Sequence, residues 1–129
     1  MVKSLFTYLN LFAFWSFLML LFMLVPFNDL KPVPRFDFEL MDKMVHIFIF
    51  GTHSFLMAGY LKKEQKITDL TTGFFPAIII LSFLYGFLIE ILQYFIPERS
   101  FEIFDLIANF IGILLGTLIF YLKFNFFTN

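Results

Sequence analysis

Between two long apolar runs, residues 90–109 carry seven charged or amide side chains: Glu90, Gln93, Glu98, Arg99, Glu102, Asp105 and Asn109. A second polar group, Asp42, Lys43 and His46, opens another apolar run upstream. Carboxylates, an imidazole and a guanidinium gathered at helix ends can pass protons, clamp an anion or tie helices together. Spacing narrows the choice. Ser82, Gly86, Glu90 and Gln93 stand at i, i+4, i+8 and i+11, which places them on one stripe of a helix. Asp105, Asn109, Gly112 and Gly116 repeat the pattern at i, i+4, i+7 and i+11. Both stripes should face protein rather than lipid.

Glu90 lies six residues before Ile96, roughly 9 Å inside its run at ~1.5 Å per residue. An ionised carboxylate that deep costs about 2.5–3.5 kcal/mol, so it must face partners or water. Lys43, His46 and Arg99 are its expected partners. An anion-binding reading sets Lys43, Arg99 and His46 against a phosphate, while Asp42, Glu90, Gln93, Asp105 and Asn109 shape and orient the site and Ser100 is a further candidate ligand-binding residue. A catalytic reading uses the same set on a lipid-linked phosphate or ester, with Glu90 or His46 handling the proton. A structural reading makes the whole network a device for helix assembly. Ser100, His46 and Asp105 contain the parts of a nucleophilic triad, but no motif orders them, and Ser100 is suited to capping the following helix. His46 and His53 are seven apart, and with Asp42 and Glu90 they offer nitrogen and oxygen donors. His53 lies roughly 10 Å deeper than His46, so this is no tight chelate, and neither a metal nor a cofactor is expected. His46 is expected to bond Asp42 or Glu90, and His53 to pack in the core. Gly112 and Gly116, extended backward by Ala108, form a small-xxx-small face that packs within the bundle or between two copies of the chain.

These residues need elements to hold them. Of 129 residues 60% are hydrophobic and only 15% charged, against about 25% charged in an ordinary soluble domain. So much apolar surface fits lipid better than a small core, which makes this one polytopic membrane domain over residues 1–129. Twenty-three Phe read as lipid-facing filler, and the absence of Cys excludes disulfides and thiolate chemistry. Four spans are expected, at about 5–25, 44–61, 73–96 and 101–122, with an irregular acidic loop over 28–41. The first is too long for a signal-peptide core and lacks a small-residue cleavage site. Short links make the fold class all-α, an antiparallel transmembrane bundle of four helices. Lys62, Lys63 and Lys66 of the middle loop place both termini in the cytoplasm and the Glu90 cluster on the outer face. No larger basic patch exists outside the apolar runs, which disfavours nucleic acid.

Three of these segments together resemble the VanZ-like family of small bacterial membrane proteins. Asp42-Lys-Met-Val-His46 is similar to the family's Asp-Lys-x-x-His opening. Glu90-Ile-Leu-Gln93 with Pro97-Glu-Arg-Ser100 resembles its Glu-x-x-Gln and Arg-Ser segment. Asp105-Leu-Ile-Ala-Asn109 with Gly112 and Gly116 resembles its closing motif. The resemblance covers roughly residues 42–116, with two departures: Glu98 stands where Gly is common, and Phe101 and Glu102 where small residues are. It implies a multi-pass protein of the bacterial inner membrane and a link to teicoplanin resistance. The expected function is an outward pocket for an anionic lipid or lipid-linked cell-wall precursor head group.

Overall fold

The computed structural model describes residues 7–25, 38–63, 73–97 and 99–127. They form four helices and no strand: α1 (Tyr8–Leu24), α2 (Phe38–Lys63), α3 (Phe74–Tyr94) and α4 (Ile103–Phe127). The ends follow from capping chemistry. At α1 the Thr7 hydroxyl accepts from the Asn10 backbone N–H at 3.2 Å, so the helix starts at Tyr8 rather than Leu5. It stops at Val25, an extended residue that precedes Pro26 in sequence, and the position before proline disfavours helix. The resulting 17 residues span about 25 Å at ~1.5 Å each. That leaves α1 a shorter apolar helix beside three that are long and apolar enough to cross a membrane.

α2 begins six residues before the expected position, so Phe38–Met41 are helical where a loop was expected; the rest of that expected loop, up to residue 37, lies outside the described residues. No breaker follows Pro34, and Glu39 in the first turn with Lys62 and Lys63 in the last complements the helix dipole. Gly73, at φ +91°, turns the chain into α3, a left-handed conformation that glycine adopts without a Cβ penalty. Pro76 sits in the first turn of α3, where its missing N–H costs little. α4 starts at Ile103, with the Glu102 carbonyl accepting from Asp105 and Leu106 N–H. Ser100 therefore lies outside the helix and does not cap it. At the other end α4 runs on past 122, since no breaker follows.

α2 is the central element and packs against the other three helices. Its approach to α4 depends on glycine. A Cβ on Gly112 would strike the Ile47 backbone, one on Gly116 the Gly51 carbonyl and the Ser54 hydroxyl, and one on Gly51 would lie 3.2 Å from the Gly112 carbonyl oxygen. The small-residue face of α4 is thus packed against α2 of the same chain. Ser54 Oγ takes advantage of the close approach and donates to the Ile113 carbonyl at 3.1 Å. α1 is tied on by Trp15, whose indole N–H donates to the Ile49 carbonyl at 3.1 Å, and by Tyr85, whose hydroxyl donates to the Ser16 carbonyl at 2.7 Å. Two apolar clusters fill the interior, one around Phe50, Ile89 and Ile113, the other around Ala58, Ile78 and Phe120. Large apolar side chains such as Phe14, Phe17, Phe48 and Phe104 point outward while His46, Glu90, Gln93 and Asn109 are buried. A soluble protein shows the reverse, and lipid is the solvent that this surface suits.

Candidate functional site

Both predicted stripes turn inward. Ser82, Gly86, Glu90 and Gln93 are buried along α3, and Asp105, Asn109, Gly112 and Gly116 along α4. The α4 stripe meets the start of α2, where Lys43 Nζ donates to Asp42 Oδ2 at 3.3 Å, to Glu102 Oε2 at 3.0 Å and to Asp105 Oδ1. One turn deeper, His46 Nδ1 and Asn109 Oδ1 are 2.7 Å apart, and His46 is 1% exposed. The amide oxygen only accepts, so Nδ1 carries the hydrogen and donates it. The other ring nitrogen, Nε2, then faces Asp42 Oδ1 at 3.9 Å and Asp105 Oδ2 at 3.8 Å.

Glu90 is 0% exposed, and neither of its oxygens has a hydrogen-bond partner among the described residues. The Glu102 backbone N–H is directed at it without closing a bond of normal geometry, and the charges of Asp105, Glu102 and Asp42 all act on it. The Asn109 amide nitrogen is likewise buried and unpartnered, and it lies toward α3 beside Gly86. Buried polar atoms are satisfied in nearly all proteins, so a carboxylate left open at both oxygens marks a place where something else binds.

The expected partners of Glu90 are placed elsewhere. Lys43 is shared by three carboxylates because its long stem reaches along α2 to the start of α4. Arg99 donates from Nη2 to the Val25 carbonyl at 2.8 Å and so holds the end of α1. His46 bonds Asn109 rather than Asp42 or Glu90. Gln93 donates to the Met23 carbonyl at 2.7 Å, a buried tie between α3 and α1. Ser100 is exposed and takes no part in the buried cluster. Asp42, Lys43, His46, Asp105 and Asn109 do come together, with Glu90 at their inner edge. His53 lies two turns away, stacked on Tyr85 with ring centroids 5.1 Å apart, and its Nδ1 has no hydrogen-bond partner among the described residues.

Three contributors escape a reading of spacing alone. Glu102 completes the Lys43 cluster, and its place one turn before Asp105 was the available signal. The Val25 and Met23 carbonyls are backbone groups that no side-chain pattern reveals.

A family model described as VanZ/LLP1 matches residues 2–124. The chain belongs to the VanZ/LLP1 family. No curated protein and no solved structure matches it. With three helices apolar and long enough to cross a bilayer, this VanZ/LLP1 protein is a membrane protein.

Proposed function

We propose that this VanZ/LLP1 protein is a multi-pass, single-domain protein of the bacterial inner membrane, with both termini in the cytoplasm. Its polar cluster opens on the outer side and binds the head group of a lipid or lipid-linked cell-wall precursor. The observation that carries this reading is Glu90, buried with both oxygens open among the described residues, with the unpartnered Asn109 amide lying one turn along α3 at Gly86. A network that served assembly alone would satisfy these groups, since each buried unsatisfied polar atom costs about 1–3 kcal/mol. A carboxylate in that state accepts hydrogen bonds from hydroxyl, amide or ammonium groups of a head group. For an accompanying phosphate, Arg99 is the cation of the set that no carboxylate engages among the described residues. Lys43 is already occupied. An apolar groove of about 460 Å³ between α1 and α2, lined by Trp15, Phe22, Met41, Met44 and Phe48, suits an acyl or isoprenoid chain.

The test is mass spectrometry of lipids that co-purify with wild type, Glu90→Gln and Arg99→Ala under the same mild extraction. Enrichment of one phosphorylated or isoprenoid lipid, lost in both variants, supports the reading. Identical bulk lipid in all three refutes it and leaves helix assembly as the role of the network. Where the protein lowers teicoplanin susceptibility, the same variants lose that effect while remaining in the membrane.

One observation favours an enzyme as the second reading: His46 is oriented by Asn109 at one nitrogen and faces two carboxylates with the other. Turnover of the co-purified lipid by wild type but not His46→Gln would establish it.

A further inference from the structure

The polar end of the bundle gathers more negative charge than the described residues offset. Asp42, Glu90, Glu102 and Asp105 converge there, and among the described residues Lys43 is the cation paired with them. The arrangement of the individual atoms is more telling than the sum. Lys43 takes Oδ2 of Asp42 and Oδ1 of Asp105, whereas His46 Nε2 faces the other oxygen of each. With Nδ1 committed as donor to Asn109, Nε2 is the ring atom left facing two carboxylate oxygens, at 3.9 and 3.8 Å. The three atoms converge on one point, where a cation, either a proton on Nε2 or a metal ion, is favoured.

We propose that Asp42, His46 and Asp105 form a divalent-cation site. One donor atom from each lies within 4.8 Å of the other two. In a tetrahedral shell with bonds of about 2.0–2.1 Å, neighbouring donors are roughly 3.3–3.4 Å apart. The observed 3.8 and 3.9 Å to His46 therefore need to close by only about half an ångström. One imidazole and two carboxylates suit Zn²⁺ or Mn²⁺, while Ca²⁺ prefers a larger all-oxygen shell. The surroundings are those of a metal site as well. Asn109 fixes the ring of His46 through its second nitrogen, and Lys43 holds the outer oxygens of both carboxylates, which are the supports that ligating groups usually have. Glu90, buried and open at both oxygens on the inner side, is the acceptor for a water carried by the cation. Asp42, 49% exposed at its side chain, gives the ion its way in from outside. The site shares Glu90 with the head-group reading but needs no lipid to bind its ion, and a cation there would also give a phosphate a partner that Lys43 cannot be.

The test uses the full chain, purified in detergent, stripped of lipid and of any polyhistidine tag. Mn²⁺ is titrated in by electron paramagnetic resonance, which reads the loss of the free-ion signal, and Zn²⁺ is then added as competitor. One ion per chain is expected, displaced by Zn²⁺ and accompanied by a rise in melting temperature. His46→Gln and Asp42→Asn should each weaken binding at least about tenfold. Asp42 is surface-exposed, so its variant keeps the fold if the buried change in His46→Gln does not. Absence of saturable binding overturns the proposal, and so do several loosely held ions whose affinity neither variant alters. Because lipid is removed first, failure of the head-group reading leaves this result untouched.

Discussion

Replacing Gly112 or Gly116 by alanine probes the contact on which the site depends. A Cβ at Gly112 would stand 3.0 Å from both the carbonyl carbon and the Cα of Ile47, and nearer still to its carbonyl oxygen. Ordinary contact begins at 3.4 Å, and the obstructing atoms are helix backbone that cannot rotate aside. α2 and α4 must then part by roughly 0.5–1 Å, a gap that forfeits a quarter to a half of each dispersion contact along the seam. Overpacking of this kind costs about 1–3 kcal/mol. For a chain of this size that lowers the melting temperature by roughly 3–10 °C. The assay is thermal unfolding in detergent, followed by the emission of the single tryptophan, Trp15. Ile111→Ala, on the exposed side of the same helix, is the control and should shift far less. The same separation draws His46 from Asn109, now 2.7 Å apart, so the alanine variants also lose occupancy of the polar site. Unchanged melting in both glycine variants would refute a backbone-to-backbone approach of α2 and α4.

Other outcomes test the ties around that seam. Asn109→Leu leaves the His46 Nδ1 hydrogen buried without an acceptor and should cost about 1–3 kcal/mol in thermal unfolding, whereas Asn109→Asp, which keeps an acceptor, should cost less. Gln93→Leu strands the Met23 carbonyl and should cost a similar ~1–3 kcal/mol, with increased proteolysis of α1 as a second readout; equal protease resistance would count against that tie. Because the chain lacks cysteine, Ser100→Cys and Lys63→Cys, both at exposed positions, are clean topology reporters. A membrane-impermeant maleimide should label position 100 in intact cells and position 63 only after lysis, and the reverse pattern would invert the orientation.

Much of the architecture was legible because lipid makes one requirement severe. A charged or amide group inside an apolar run is costly unless it faces the bundle, so the spacing of Ser82, Gly86, Glu90 and Gln93 predicted which side of α3 is buried. The same requirement identified the stripe from Asp105 to Gly116, and glycine at two successive turns marked a close helix contact. Helix ends were less accessible. The start of α1 is set by the Thr7 cap, and the start of α4 by the Glu102 carbonyl rather than Ser100, which are local backbone choices that hydropathy does not register.

What the amino-acid order determined by itself was the class of protein, the number of helices and the inward faces of α3 and α4. Partner choice came only with the tertiary structure. Whether Lys43 reaches Glu90 or Asp105 depends on the relative rotation and height of three helices, and each residue turns a helix by about 100° and advances it ~1.5 Å. Those degrees of freedom are settled by glycine contacts between α2 and α4 and by the Gln93 and Trp15 ties of α1. They leave Lys43 among three carboxylates, Arg99 on a backbone carbonyl and Glu90 open.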